Sequence, residues 1–170
     1  MPTLLIVAGP NGAGKTTFAN KLFEDEGLDW PYLNADDIGR EEFPGLSGST
    51  RDIAAGRRLL SRLEELTKAG ESLALETTLS SLLYARRIPA WREQGYRVEL
   101  VYIQLPDVEA SIARVALRVA RGGHGVPEAD LRRRFDRSRR NLAVYQRLVD
   151  AWRVGQSRPE GVDIVARSPE

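Results

Sequence analysis

The residues most able to do chemistry lie in one run near the start of the chain, Gly9-Pro10-Asn11-Gly12-Ala13-Gly14-Lys15-Thr16-Thr17. Gly9, Gly14, Lys15 and Thr16 satisfy G-x-x-x-x-G-K-[ST], the phosphate-binding loop pattern. Glycines at these places let the backbone wrap closely enough for several N–H groups to face one phosphate. The helix that follows adds its unpaired first N–H groups and the positive end of its dipole. Lys15 is placed to reach the β- and γ-phosphates of ATP, and the Thr16 hydroxyl to ligate Mg²⁺. At average glycine usage the pattern arises by chance in about 1% of chains this long. The apolar run Leu4–Ala8 before it and the amphipathic segment after it supply the strand–loop–helix context that the mechanism needs.

Two further clusters of polar residues follow short apolar runs. Asn34-Ala35-Asp36-Asp37 comes after Tyr32-Leu33, and Glu76-Thr77-Thr78-Leu79-Ser80 after Leu73-Ala74-Leu75. Open α/β sheets gather their ligand groups at the carboxyl ends of strands, so both clusters belong at the edge that carries the phosphate loop. A carboxylate there accepts a substrate hydroxyl's proton or holds Mg²⁺. One of Asp36 and Asp37 is read as that base and the other as a helix cap. Late in the chain, an apolar run ending in a lone Asp occurs only at Val101–Asp107, where Pro106 interrupts it. That favours a small kinase over a motor ATPase.

Nine arginines fall between Arg114 and Arg140, with Glu128, Asp130 and Asp136 offsetting them. Arg114 and Arg118 are four apart and share a helix face. Gly122-Gly123-His124-Gly125 reads as a hinge, and Pro127 suits the first turn of the next helix. A hinge followed by an arginine-bearing helix is what a lid over phosphates requires, and residues 107–140 are read as that lid. His124, the single histidine, is read as a hinge residue or substrate contact.

The elements that must position these residues alternate. Strands are expected at Thr3–Ala8, Tyr32–Asn34, Ser72–Leu75, Arg97–Leu105 and, weakly, Val162–Val165. Helices are expected at Lys15–Glu26, Arg51–Ala69 (apolar stripe Ile53, Leu59, Leu60, Leu63, Leu66), Ser81–Gln94 with a break near Pro89, Asp107–Arg121, and from Pro127 to about Trp152. Pro44–Thr50 reads as a loop. The alternation implies an α/β P-loop NTPase fold: one domain over residues 1–170 whose doubly wound parallel sheet has about five strands and helices on both faces.

The chain has 170 residues, no cysteine and a formal charge of +1. Disulfides, thiol catalysis and cysteine-based zinc sites are therefore excluded. No run reaches membrane-spanning length, and Leu4–Ala8 is too short for a signal segment, so a cytoplasmic protein without membrane contact is expected. Three lysines stand against twenty-two arginines, a balance suited to forked recognition of phosphate.

Together these pieces resemble the zeta toxin family of P-loop kinases. The resemblance is carried by Gly9–Thr17, Asn34-Ala35-Asp36, Glu76-Thr77-Thr78-Leu79-Ser80, and Gly122–Pro127 with Arg132-Arg133-Arg134-Phe135. It implies a short, compact member with ATP and Mg²⁺ as cofactors and Asp36 as the base on the acceptor hydroxyl. Lys15 would be the phosphate lysine, Thr16 the metal ligand, and Asn34, Glu76, Thr77 and Thr78 the substrate contacts. Arg114 and Arg118 would hold the γ-phosphate. It also implies a nucleotide-sugar acceptor such as UDP-N-acetylglucosamine and a neutralising antitoxin protein as partner. Two other readings are a polynucleotide kinase and a nucleotide-gated interaction module. Phe135 is the single aromatic between Arg114 and Arg140, which argues against stacking single-stranded nucleic acid there.

Overall fold

A computed structural model describes residues 1–169. Its centre is β1 (Thr3–Ala8), whose Leu4, Ile6, Val7 and Ala8 are fully buried. Such a strand must be covered on both faces and both edges. It pairs in parallel with β3 (Leu73–Thr77) on one side and β4 (Arg97–Gln104) on the other. Outside β3 lies the two-residue β2 (Tyr32–Leu33); outside β4 lie β5 (Ala151–Arg158) and β6 (Gly161–Arg167). The order is β2-β3-β1-β4-β5-β6. This is the expected α/β architecture, with six strands rather than five and with the last one antiparallel.

One face is packed by α1 (Lys15–Glu26) and α5 (Val108–Ala120), through Phe18, Leu22 and Val108 against Leu5, Val7 and Ile103. The other is packed by α2 (Ala35–Glu42), α3 (Gly48–Ala69), α4 (Ile88–Glu93) and α6 (Glu128–Gln146), through Ile38, Leu59, Leu63, Trp91 and Tyr145. α1 ends at Gly27, φ +63°, where Gly27 and Leu28 donate N–H groups to Glu24 and Phe23 carbonyls in the left-handed helix stop. The Asp107 side chain caps α5 by accepting from Ala110 N at 2.8 Å.

Several expected elements differ. α3 begins at Gly48, so the loop before it is shorter than Pro44–Thr50, and Ile53 is 56% exposed. The buried stripe is Ala55, Leu59, Leu63 and Thr67, spaced by four; Ile53 is six residues from Leu59 and so points about 120° away from it. Residues 81–87 form turns, not helix, and α4 starts at Ile88 with Pro89 in its first turn. Proline lacks the N–H that a continuing helix would need and clashes with the carbonyl four residues back, so it opens this helix instead of bending one. α6 stops at Gln146, and Trp152 lies in β5. That strand's mixed polar sequence becomes a strand through its parallel register with β4, Glu99 opposite Ala151 to Gln104 opposite Gln156.

Gly9 sits where β1 turns into the phosphate loop, at φ +149°, and a Cβ there would lie 2.2 Å from the Ile103 carbonyl oxygen. Gly9→Ala is expected to cost about 3 kcal/mol or more, from overpacking against backbone together with a conformation that L residues avoid. Urea unfolding of the variant checks this.

Candidate active site

The loop from Gly9 to Thr17 joins β1 to α1 at the carboxyl edge of the sheet, with Gly12 at φ +80° and Gly14 at φ +87°. It is braced from α5. Ser111 Oγ donates to Asn11 O at 2.6 Å, and Arg114 Nη1 donates to Gly12 O at 3.2 Å and to Ser157 Oγ at 2.7 Å. A Cβ on Gly12 would meet Arg114 Cβ at 2.9 Å, so glycine is required for this approach. Pro10 and Ala13 are buried, and Thr17 is exposed in the first turn of α1. Lys15 is buried and folds back over the loop, donating to Gly9 O at 2.9 Å and Pro10 O at 3.1 Å. Burial pushes its ammonium below its ordinary pKa; Glu76 and Asp36 oppose that, and Arg118 adds to it. The loop therefore holds a desolvated cation with nearby carboxylates but no direct ion pair among the described residues, an environment that a bound anion would stabilise.

Glu76, at the end of β3, is the junction of the site. Its Oε2 accepts from Thr16 Oγ1 at 2.7 Å, from Asn34 Nδ2 at 3.0 Å and from the Tyr32 hydroxyl. Burial first, and Glu76's charge second, raise the Tyr32 phenol well above its ordinary pKa, so it remains a donor. Its ring packs edge-on against Phe23, centroids 6.0 Å apart. Because Thr16 gives its proton to Glu76, the lone pairs of Thr16 Oγ1 are directed elsewhere, which fits a metal ligand. Among the described residues no group of three or more His, Cys, Asp or Glu could enclose a metal. A Mg²⁺ here would be held by Thr16, nucleotide phosphates and water, the usual arrangement for this ion.

Asn34 also settles the two neighbouring aspartates. Its Oδ1 accepts from Asp36 N at 2.9 Å and caps α2, so neither Asp36 nor Asp37 is the cap. Asp37 forms an ion pair with Arg40. Asp36 has no ion pair among the described residues and lines two contiguous cavities. The inner cavity, about 250 Å³, brings Asp36 together with Lys15, Asn34, Glu76, Thr77, Thr78, Arg118 and Arg134. The outer one, about 330 Å³, lies between α2, α3 and the glycine hinge and includes Arg51, Asp52 and His124. Arg51 Nη2 is 3.0 Å from His124 Nδ1, and Arg118 Nη2 donates to His124 O at 3.0 Å. Arg114 lines neither cavity, because the loop brace occupies its guanidinium. Arg134, inside the arginine run, lines the inner cavity alongside Arg118.

Sequence reasoning missed Tyr32, Arg51, Asp52 and Tyr84. Tyr84 lines the inner cavity, and burial pushes its hydroxyl up to about 12. Tyr32 carried a readable signal, since it lies two residues before Asn34 on a strand and so shares its face. Arg51 and Asp52 enter through the packing of α3 on α2, which no local spacing announces.

A β2-β3-β1-β4-β5 parallel sheet, a phosphate loop after its central strand and carboxylates at the ends of the next two strands in sequence define a P-loop kinase fold. The chain belongs to the zeta toxin family, whose family model matches residues 1–167. An uncharacterised protein of Haemophilus influenzae is 29% identical over 131 residues, covering 77% of this chain and 91% of that protein. Among solved structures, the PezAT chromosomal toxin–antitoxin system of Streptococcus pneumoniae aligns with a TM-score of 0.74 at 16% identity, over 98% of this chain and 71% of that one. The AvrRxo1-ORF1:-ORF2 complex with ATP aligns with a TM-score of 0.72 at 22% identity; this chain is covered over 98% and spans 58% of that chain's length. Family and fold together support a nucleotide-using phosphotransferase. No helix among the described residues is long and apolar enough to cross a membrane.

Tyr32→Phe keeps the ring packing and removes one donor from Glu76. It is expected to raise the Mg²⁺ concentration needed for half-maximal ATP binding about tenfold, the scale of outer-shell changes at metal sites. Calorimetric titration of ATP at graded Mg²⁺ checks this, and binding of ATP without Mg²⁺ should be unchanged.

Proposed function

We propose that the protein transfers the γ-phosphate of ATP to a sugar hydroxyl of a nucleotide sugar, with UDP-N-acetylglucosamine the first acceptor to try. The observation that carries this reading is the placement of Asp36. Asn34 relieves it of capping, no cation among the described residues pairs with it, and it borders the cavity that also receives Lys15, Arg118 and Arg134. The chain is read as one domain in which residues 107–140 act as the lid, His124 and Arg51 closing the outer side of the acceptor cavity.

In this reading the loop N–H groups and Lys15 hold the β- and γ-phosphates. Thr16, oriented by Glu76, would ligate Mg²⁺, which when bound neutralises phosphate charge. Thr77, Thr78, Asn34 and the wall containing Tyr84 orient the acceptor. The acceptor oxygen attacks the γ-phosphorus while Asp36 takes its proton; the O–P bond forms, the bond to the β-phosphate oxygen breaks, and ADP leaves. Arg118 and Arg134 neutralise charge developing on the transferred group. Such substrates belong to the cytoplasm, where this reading puts the protein. Membership of the family and the likeness to the PezAT toxin–antitoxin system and to the AvrRxo1-ORF1:-ORF2 complex support an antitoxin partner.

Incubation with Mg²⁺, ATP and UDP-N-acetylglucosamine should yield a product heavier by one phosphate, read by mass spectrometry. Phosphorylation of an oligonucleotide 5′-hydroxyl by the same sample, with no sugar product, would replace this reading with a polynucleotide kinase. Lys15→Ala should abolish transfer and leave the fold intact. Asp36→Asn should keep ATP binding and lower kcat about 100-fold or more, the range for a positioned base. Asp37→Asn should change kcat little, and a reversed order of the two would reassign the base.

A further inference from the structure

The arginines of α6 divide by partner. Arg132 pairs with Glu109 and Glu128, and Arg133 with Asp130. Arg134, Arg137 and Arg140 enter no ion pair among the described residues; Arg140 only donates Nε to the Asp136 carbonyl at 3.3 Å. Arg134 lines the inner cavity. Arg137 and Arg140 line a trough of about 520 Å³ further along the helix, whose other wall is Ser80, Ser81 and Leu82 and which Asn141 also borders. No carboxylate among the described residues lines it.

The facing wall is built rigidly. Leu79 is fully buried at φ +60°, a conformation that non-glycine residues adopt only when the surroundings impose it. Asn141 Nδ2 donates to Leu79 O at 2.8 Å, and the Tyr145 hydroxyl to Ser81 O at 2.7 Å, so α6 itself fixes the turn. Thr78 and Ser80 hydroxyls lie 2.9 Å apart. The segment 77–81 thus runs from the inner cavity into the trough with hydroxyl groups along its length. Six residues separate Arg134 from Arg140, about 9 Å along the helix.

We propose that this trough is a binding site for the diphosphate of the acceptor, with Arg137 and Arg140 as its charged contacts and Ser80 and Ser81 as hydroxyl donors. It rests on the reading of the inner cavity as the place of transfer and extends it to the acceptor's far end. Unpaired guanidinium groups give forked, charge-assisted hydrogen bonds to phosphate oxygens. Arg137 and Arg140 follow Arg134 by three and six residues on α6, so phosphates held by them would leave the rest of the acceptor on the side of the inner cavity. A polynucleotide fits less well, because no aromatic side chain among the described residues lines the trough to stack bases.

The test is calorimetric titration of UDP into protein whose phosphate loop is already saturated with Mg²⁺ and adenylyl imidodiphosphate. The wild-type protein should bind one UDP, and uridine much more weakly. Arg137→Ala/Arg140→Ala should weaken UDP binding about tenfold or more; each single variant should weaken it measurably, while Arg147→Ala, which removes one like charge just past the end of α6, should not. Absence of UDP binding, equal binding by the double variant, or loss of oligonucleotide binding in its place would each overturn the proposal. The transfer assay separates this from the function itself. Sugar phosphorylation with an unchanged acceptor KM in the double variant would reject the trough and keep the kinase. Trough-dependent UDP binding without sugar phosphorylation would do the reverse.

Discussion

The site hangs on one carboxylate oxygen. Glu76 Oε2 collects donors from Thr16 in α1, Tyr32 in β2 and Asn34 at the head of α2, so a single acceptor registers three elements against β3. Hydrogen bonds to a carboxylate are among the strong ones, and each donor that leaves costs Glu76 one of them. This favours settling the three together. β2 is only two residues long and could not be held by its ladder alone; the Tyr32 ring on Phe23 and the phenol on Glu76 complete its attachment.

The second constraint is the closeness of the phosphate loop to β4 and α5. Gly9 runs beneath the Ile103 carbonyl and Gly12 against Arg114. Neither contact tolerates a side chain, so the spacing of the two glycines reflects packing as well as phosphate geometry. Arg114 illustrates the difference between a charge in a motif and a charge in a site: four residues from Arg118 on one helix, it works as a brace between Gly12 and Ser157 while Arg118 reaches the cavity.

What the sequence made legible were features with local causes. The phosphate loop, the glycine stops of α1 and α3 and the Asp107 cap each follow from neighbouring residues, and the central strands announce themselves as continuous apolar runs. β5 was illegible because its residues are half polar and become a strand only beside β4, with β6 folded back on its other edge. The choice between Asp36 and Asp37 stayed open in sequence because it turns on which neighbour caps α2; Asn34 does so, and Arg40 engages Asp37. Arg51 and Asp52 reach the outer cavity by long-range packing, where periodicity carries no information.

α5 is fastened unevenly. Near its start, Ser111 and Arg114 grip the phosphate loop; toward its end, Leu117 and Val119 stand in solvent and the glycine segment 122–125 follows. Mechanically it is a beam clamped at its root, with Arg118 on the overhang. Bending is then confined to the last turn and the glycines, while the clamped part keeps step with the loop. A small displacement of the loop would be levered outward, arriving enlarged where Arg118 meets the His124 carbonyl.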